Sequence, residues 1–195
     1  MKVKKEIYVC PKCAREHEGL MVMSFNSGIK PMAESAKQIS QQKITKCGKC
    51  GVELLTEADY IKELKKHADA GEKKAQHNLG YRYFKGNGLK QDYNEAVKWL
   101  TKSAEQGLAE AQSQLGFCYS MGHGVEQDHK KAFELYLKSA EQGLAVAQYN
   151  ISKSYYEGNG TDKNPEKALE WLKKSAEQGY EKAAEQLKKH KDHFG

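Results

Sequence analysis

The sequence predicts a mainly α-helical protein in which a solenoid of helical hairpins follows a small metal-binding module with short β-strands. Two observations indicate the solenoid: one motif recurs every 36 residues, and apolar residues inside each unit are spaced by three and four. A third indicates the module, because four of the five cysteines form two Cys-x-x-Cys pairs ahead of the repeats. We therefore expect a metal-binding domain at 1–55 and a repeat domain at 56–195.

The composition is typical of a soluble globular protein, with 38% hydrophobic and 30% charged residues in a chain of 195. A membrane span needs about 18 consecutive apolar residues, and the sequence has no such run. The first residues are rich in lysine without an apolar stretch behind them, unlike a secretory signal. We therefore expect a cytoplasmic protein without a membrane partner, whose reducing surroundings keep cysteines available as metal ligands.

Zinc is the predicted cofactor, with four thiolate ligands at Cys10, Cys13, Cys47 and Cys50. Zinc binds four such ligands in a tetrahedron at about 2.3 Å, and each Cys-x-x-Cys pair supplies two of them on one tight turn. This arrangement resembles the zinc-ribbon family, which implies short strands, here expected at 19–26 and 52–55. The 33 residues between the pairs exceed the commonest spacing, so 31–44 is predicted to be an inserted loop or short helix. Iron suits the same thiolates, and the pattern leaves both metals open while favouring zinc for a structural site.

Positive charge is concentrated in the predicted module. Residues 1–50 hold ten Lys or Arg and four Asp or Glu, whereas the rest of the chain holds 22 of each sign. Such a module is compatible with a structural metal staple, a protein-docking surface or a basic surface for nucleic acid. The staple is favoured, because a nucleic-acid surface usually adds several aromatic rings for stacking and only Tyr8 and Phe25 are available.

The repeat is defined by the quartet Ala-Glu-Gln-Gly, which stands at 104–107, 140–143 and 176–179. Apolar residues such as Ala75, Leu79 and Tyr83 share one helical face, so each unit is predicted to contain two amphipathic helices. The units occupy 73–108, 109–144 and 145–180, with half repeats at 57–71 and 181–190. Half repeats at both ends are expected to cover the terminal faces of the solenoid.

Local signals mark the predicted helix ends. The first glycine of each Gly-x-Gly, as at Gly86, is expected to end a first helix in the left-handed conformation. Asp92 with Glu95 matches a capping box, and Asn164 before Pro165 matches a helix start.

Two further glycines, Gly80 and Gly116, lie inside predicted first helices, where glycine costs about 1 kcal/mol relative to alanine. We expect a close approach of the neighbouring helix to offset that cost.

These residues resemble the Sel1-like repeat family, a tetratricopeptide-like class, over roughly Glu57 to His190. The resemblance implies a right-handed α-solenoid that acts as a protein-protein interaction scaffold or adaptor. By similarity to tetratricopeptide solenoids, it also implies that the outer face of each first helix lines a concave groove for a partner peptide or domain. Sel1-like proteins also include delivered bacterial effectors, a class that the resemblance leaves open.

Helical spacing identifies the side chains on that outer face, opposite the apolar seam. Several are aromatic, a residue type that provides large contact areas at binding sites, although some rings are expected to pack against neighbouring helices instead. The predicted groove residues are Lys74, His77, Tyr81, Phe84, Glu110, Ser113, Phe117, Ser120, Val146, Tyr149, Lys153 and Tyr156.

Catalysis is not expected. Cys118 has no supporting base motif and is predicted to be an ordinary semi-buried cysteine, and His123 with His129 lacks a third ligand for a second metal. Each Gly-x-Gly ends a helix and does not follow a strand as a phosphate-binding loop does. The sequence therefore predicts a protein-binding adaptor, with a nucleic-acid-associated factor that recruits proteins through its repeats as the alternative.

Overall fold

The computed structural model describes the backbone of residues 8–9 and 55–194, and side chains over 57–189. The predicted ligands Cys10, Cys13, Cys47 and Cys50 lie outside these ranges, as do the predicted strand at 19–26 and the insertion at 31–44. The chain divides into two compact units, Met1–Lys66 and His67–Gly195.

The described part of the first unit contains a short antiparallel strand pair and the start of a helix. Strand β1 (Tyr8–Val9) pairs with β2 (Leu55–Thr56), with Tyr8 opposite Thr56. Strand β1 was not predicted, because two residues are too short to show the alternation typical of a strand. Helix α1 (Glu57–Asp69) begins in this unit, at the residue where the first half repeat was predicted to begin.

Seven further helices follow, and the two members of each full repeat pack together along their lengths. Each second helix also packs against the first helix that follows it in the chain. The first helices are α2 (Lys73–Lys85), α4 (Ala109–Met121) and α6 (Ala145–Glu157). The second helices are α3 (Tyr93–Glu105), α5 (His129–Glu141) and α7 (Pro165–Glu177), and α8 is Glu181–Phe194. Helix α8 continues beyond the predicted end at 190, because no helix breaker occurs before Gly195.

The predicted caps are present, with one correction. The first helices end at left-handed glycines such as Gly86 (φ 74°), and the side chain of Asn164 accepts a hydrogen bond from the Lys167 amide. The side chain of Asp92 likewise accepts from the Glu95 amide, but the capping box is not reciprocal. The Asp92 amide donates to the Tyr83 carbonyl instead, which leaves the Glu95 carboxylate to accept from Trp99 and Lys98.

The glycines inside first helices lie where neighbouring helices approach closely, as predicted. A Cβ on Gly80 would lie 2.9 Å from Leu100 Cγ, and one on Gly116 would lie 3.0 Å from the Tyr136 ring. Both distances are shorter than ordinary van der Waals contacts, so the glycines allow the two helices of a repeat to pack closely.

Glutamine side chains join successive helices in the same way in each repeat. Gln112 Nε2 donates to the Ala104 carbonyl at 3.3 Å, and Gln112 Oε1 accepts from Gln142 Nε2 at 2.8 Å. The glutamines at 76 and 148 make the equivalent bonds. These buried amides satisfy carbonyl groups at helix ends and set the register between neighbouring helices.

Candidate partner-binding surface

All twelve predicted groove residues lie on the first helices α2, α4 and α6, but their exposure differs. Lys74, Phe117, Lys153 and Tyr156 are exposed. His77, Tyr81, Glu110, Ser120, Val146 and Tyr149 are half-buried. Phe84 and Ser113 are buried, which matches the alternative that some members pack against neighbouring helices. The large hydrophobic side chains that remain exposed within the described residues are Phe117 (36%), Met121 (54%) and Tyr156 (64%).

The groove residues of the first repeat make contact with one another and with the second repeat. The rings of His77 and Tyr81 lie 6.4 Å apart, and Lys85 Nζ lies 5.8 Å from the Tyr81 ring centre. Burial lowers the pKa of His77, although the nearby Glu110 carboxylate acts in the opposite direction. His77 is therefore predominantly neutral at pH 7, and its side chain shares a hydrogen bond with Asn78.

Four rings, here called the four-ring cluster, fill the space between the first two repeats: Phe84, Tyr93, Phe117 and His123. The His123 ring stacks on Tyr93 at 4.7 Å with an interplanar angle of 8°, and the Phe84 ring lies 6.0 Å from Phe117. His123 Nδ1 is buried and has no hydrogen-bond partner among the described residues. The sequence did not reveal that Tyr93 and His123 join the groove residues here. Tyr93 begins the second helix of the first repeat and His123 lies in the loop of the second repeat, so their contact depends on how the two repeats pack.

The equivalent space between the second and third repeats contains a cavity of about 120 Å³, here called the interrepeat pocket. Helices α4, α5 and α6 form its walls. Three predicted groove residues, Phe117, Ser120 and Lys153, line it together with Tyr136 and the exposed Met121. Met121 was missed by the sequence prediction, although it lies one helical turn after Phe117 on the same helix.

The base of the pocket combines apolar and polar groups. Ala132 and Tyr136 are buried there, and Tyr136 shares a side-chain hydrogen bond with Ser120. Burial raises the pKa of Tyr136, so its phenol stays protonated over the physiological range. The Asn150 amide also lines the pocket and has no side-chain hydrogen bond to another described residue. The pocket therefore offers hydrogen-bonding groups beneath an apolar wall.

The residues considered for catalysis or a second metal are not brought together. Cys118 is fully buried, and burial raises the pKa of its thiol to about 11, so little nucleophilic thiolate exists at neutral pH. His123 belongs to the four-ring cluster, whereas His129 lines the pocket. Over residues 57–189 there is no group of three or more His, Cys, Asp or Glu side chains placed to hold a metal. None of the helices described is long and apolar enough to span a bilayer.

The fold is that of an α-helical repeat solenoid, and comparison with known families identifies which one. The family described as Sel1 repeat matches residues 73–108, 109–144 and 145–180, which together exceed half of the chain. The chain therefore belongs to the Sel1 repeat family, whose members are generally protein-interaction scaffolds.

Solved structures show the same architecture. A Sel1 repeat protein from Oxalobacter formigenes is 42% identical with a TM-score of 0.60, over 66% of this chain and 97% of that one. A protective antigen of uropathogenic Escherichia coli with an SLR fold is 33% identical with a TM-score of 0.51, over 65% of this chain and 35% of that one. Helicobacter pylori cysteine rich protein B shares the fold at 21% identity and a TM-score of 0.52, over 66% and 92% of the two chains.

A curated relative matches over a short segment. The secretory immunoglobulin A-binding protein EsiB of Escherichia coli is 49% identical over 39 residues. That segment is 20% of this chain and 8% of EsiB, so the chain spans only a small part of that relative.

Proposed function

We propose that this protein is an interaction scaffold whose first helices bind a polypeptide segment of a partner protein. The observation that supports this most directly is the position of the exposed apolar side chains. Among the described residues, Phe117, Met121 and Tyr156 all lie on first helices, and the equivalent surface of the first repeat contains the half-buried Tyr81. Exposed aromatic rings grouped on one surface are typical of a protein-binding site.

The curated relative supports the same class of ligand. EsiB is named for binding secretory immunoglobulin A, which is a protein. Because the aligned segment covers only 8% of EsiB, we take from it the class of partner and not the particular partner.

The test is capture of partners from a lysate by the full chain and by a triple variant, Tyr81→Ala, Met121→Ala and Tyr156→Ala. We expect the variant to lose most of the capture while its melting temperature changes little, because these side chains are exposed or half-buried. Phe117 is left intact, since its ring packs against Phe84 and His123. Tyr149 is left intact, since its ring packs 5.3 Å from Tyr180. The matched control replaces the exposed Glu105, Glu141 and Glu177 of the second helices by alanine, and full capture is expected. Equal capture by both triple variants would contradict the proposal.

We also propose that the four cysteines hold one structural zinc ion in the cytoplasm. The support is the chemistry of the donor set: Cys10, Cys13, Cys47 and Cys50 provide two Cys-x-x-Cys pairs, and four thiolates suit a closed tetrahedral zinc site. Such a site would stabilise the first 50 residues, which have few large apolar side chains of their own.

Elemental analysis of the purified full chain tests the metal assignment. One zinc per chain is expected, and a Cys10→Ser, Cys47→Ser double variant should lose it, whereas Cys118→Ser should keep it. Bound iron or a metal-free chain would contradict the zinc assignment without affecting the scaffold proposal.

A further inference from the structure

Resting on the proposed scaffold function, we propose that the interrepeat pocket binds the ring of a tyrosine that the partner presents beside an acidic residue.

The repeat itself indicates that the pocket suits a ring. Four of the residues that line the pocket stand one repeat, or 36 residues, after the members of the four-ring cluster. Ser120, His129, Lys153 and Asn159 of the lining occupy the positions of Phe84, Tyr93, Phe117 and His123. Between the first two repeats, those four rings fill the space with centroid distances of 4.7 to 6.0 Å.

Replacement of the rings leaves the cavity of about 120 Å³ between the second and third repeats. The key difference is Ser120, which stands where the first repeat has the buried ring of Phe84. An apolar cavity of about 150 Å³ in another protein binds benzene, so the volume here is on the scale of one aromatic ring. A ring from the partner would restore the packing that Phe84 provides one repeat earlier.

The polar groups of the pocket select tyrosine over phenylalanine. The Ser120 hydroxyl and the Asn150 amide line the cavity, and the Asn150 side chain has no partner within the described part of the chain. Ser120 already shares a hydrogen bond with Tyr136, so the Asn150 amide is the group that needs a partner. A phenol hydroxyl can both donate and accept, so it can satisfy this amide. A phenylalanine or leucine side chain would cover the amide and leave it without a hydrogen bond, which is unfavourable.

The charges at the pocket select an acidic neighbour. Lys153 is exposed, and no ion pair joins it to any residue of the described chain. Glu157 also lines the pocket, and its carboxylate accepts a hydrogen bond from the Asn159 amide at 2.7 Å but keeps its negative charge. The carboxylate next to the tyrosine is therefore placed beside Lys153 and away from Glu157, with the modest gain expected of an exposed pair.

Capped amino acids test the proposal on the full chain, with binding followed by backbone amide shifts in NMR titrations. N-acetyl-tyrosine amide is expected to shift Ala132 and Asn150 in a saturable way, with affinity about tenfold above that of N-acetyl-phenylalanine amide or N-acetyl-leucine amide. N-acetyl-Asp-Tyr amide is expected to bind about two- to fivefold more tightly than N-acetyl-Asn-Tyr amide. Equal affinity for the tyrosine and leucine probes, or shifts located elsewhere, overturns the proposal.

Two variants test the roles of the cavity and of the lysine separately, and each is expected to keep the fold. Ser120→Phe restores the ring of the first repeat and should abolish binding of the tyrosine probe while the circular dichroism spectrum is kept. Lys153→Gln should leave the tyrosine probe unaffected and remove the preference for the Asp-Tyr probe, whereas the exposed Lys138→Gln on α5 should change neither. Full probe binding by Ser120→Phe, or an unchanged Asp-Tyr preference in Lys153→Gln, overturns the proposal.

Failure of this inference is distinguishable from failure of the scaffold function. If the tyrosine probe does not bind but the groove triple variant still loses partner capture, the pocket proposal is wrong and the scaffold proposal stands. If Ser120→Phe loses both the probe and the partner, both proposals are supported.

Discussion

Individual glycines determine how closely successive repeats approach. Gly124 lies in the loop after α4 with φ at 72°, and a Cβ there would overlap the backbone carbonyl of Tyr93 at the start of α3. Gly160 meets His129 in the same way one repeat later. Gly143 also has a positive φ, at 91°, but nothing lies within 4 Å of the position its Cβ would take. Gly143 is therefore required only for its positive φ, whereas Gly124 is also required because a Cβ would not fit beside Tyr93.

Alanine substitution at these two positions tests that distinction. We expect Gly143→Ala to lower the free energy of unfolding by about 1 kcal/mol, the strain of a left-handed alanine. Gly124→Ala should lower it by about 2–4 kcal/mol, because the new methyl group also forces the loop away from Tyr93. Urea denaturation of the two variants measures the difference, and equal losses would show that the close contact contributes nothing.

A second prediction at the residue scale concerns Cys118. Burial raises the pKa of its thiol to about 11 from a usual value of 9.0, so the folded state holds this proton over a range where the unfolded chain releases it. The corresponding stability is present below pH 9 and is lost as the pH rises toward 11, by up to about 2–3 kcal/mol. Unfolding free energies from pH 8 to 11 should therefore fall less steeply for Cys118→Ala than for the unchanged protein. If the unfolding free energies of the two proteins fall equally with pH, the raised pKa of Cys118 is wrong.

Helices in this protein are joined by polar as well as apolar contacts. Gln112 of α4 is buried, donates to the end of α3 and accepts from Gln142 at the end of α5. Ser139 of α5 adds a hydrogen bond to the Ala109 carbonyl at 2.8 Å, at the opposite end of α4 from its glycine cap. Three successive helices are thereby linked at their ends, and the Ala104 and Ala109 carbonyls each accept a side-chain hydrogen bond.

Replacing Gln112 by methionine tests the contribution of this link, since methionine keeps the volume and removes the amide. We expect the free energy of unfolding to fall by about 1–2 kcal/mol, because the buried Gln112 hydrogen bonds are lost while the Gly107 amide still donates to the Ala104 carbonyl. Gln142→Met is the matched control: Gln142 is exposed, so water can replace its bonds and the loss should stay below about 1 kcal/mol. Chemical denaturation of both variants provides the comparison, and an equal loss would argue against a special role for the buried amide.

At the scale of the whole repeat array, the most extensive packing is between helices that are neighbours in the chain, and further contacts such as that of Phe84 with Phe117 join adjacent repeats. Stability in such an array is approximately the sum of the repeats and of their nearest-neighbour interfaces. One unit should therefore be removable when the 36-residue register is kept.

Deletion of residues 109–144 tests this, because it joins Leu108 to Ala145 at equivalent positions. We expect the shortened chain to remain helical and to melt cooperatively at a lower temperature, as followed by circular dichroism. Deletion of only 109–126 breaks the register and should abolish cooperative melting. If the two deletions behave alike, the nearest-neighbour description is wrong.

Much of the helical architecture is predictable from local signals. The starts of α3, α5 and α7 follow a capping Asp or Asn, and the first helices end at left-handed glycines. The close approach at Gly80 was also predictable, because a glycine inside a helix needs a packing reason. The interrepeat pocket was not predictable, since it depends on side chains from three helices whose mutual distances no local pattern specifies.

The sequence by itself determined the helices, their ends and their repeat, because these depend on residues close together in the chain and recur every 36 positions. Only the tertiary structure decided which of the predicted groove residues are buried. Phe84 is enclosed by Tyr93, Phe117 and His123, whereas Phe117, on the first helix of the next repeat, remains 36% exposed beside the pocket. The physical reason is that burial at one position depends on the size of side chains a full repeat away, and Ser120 leaves open the space that Phe84 fills.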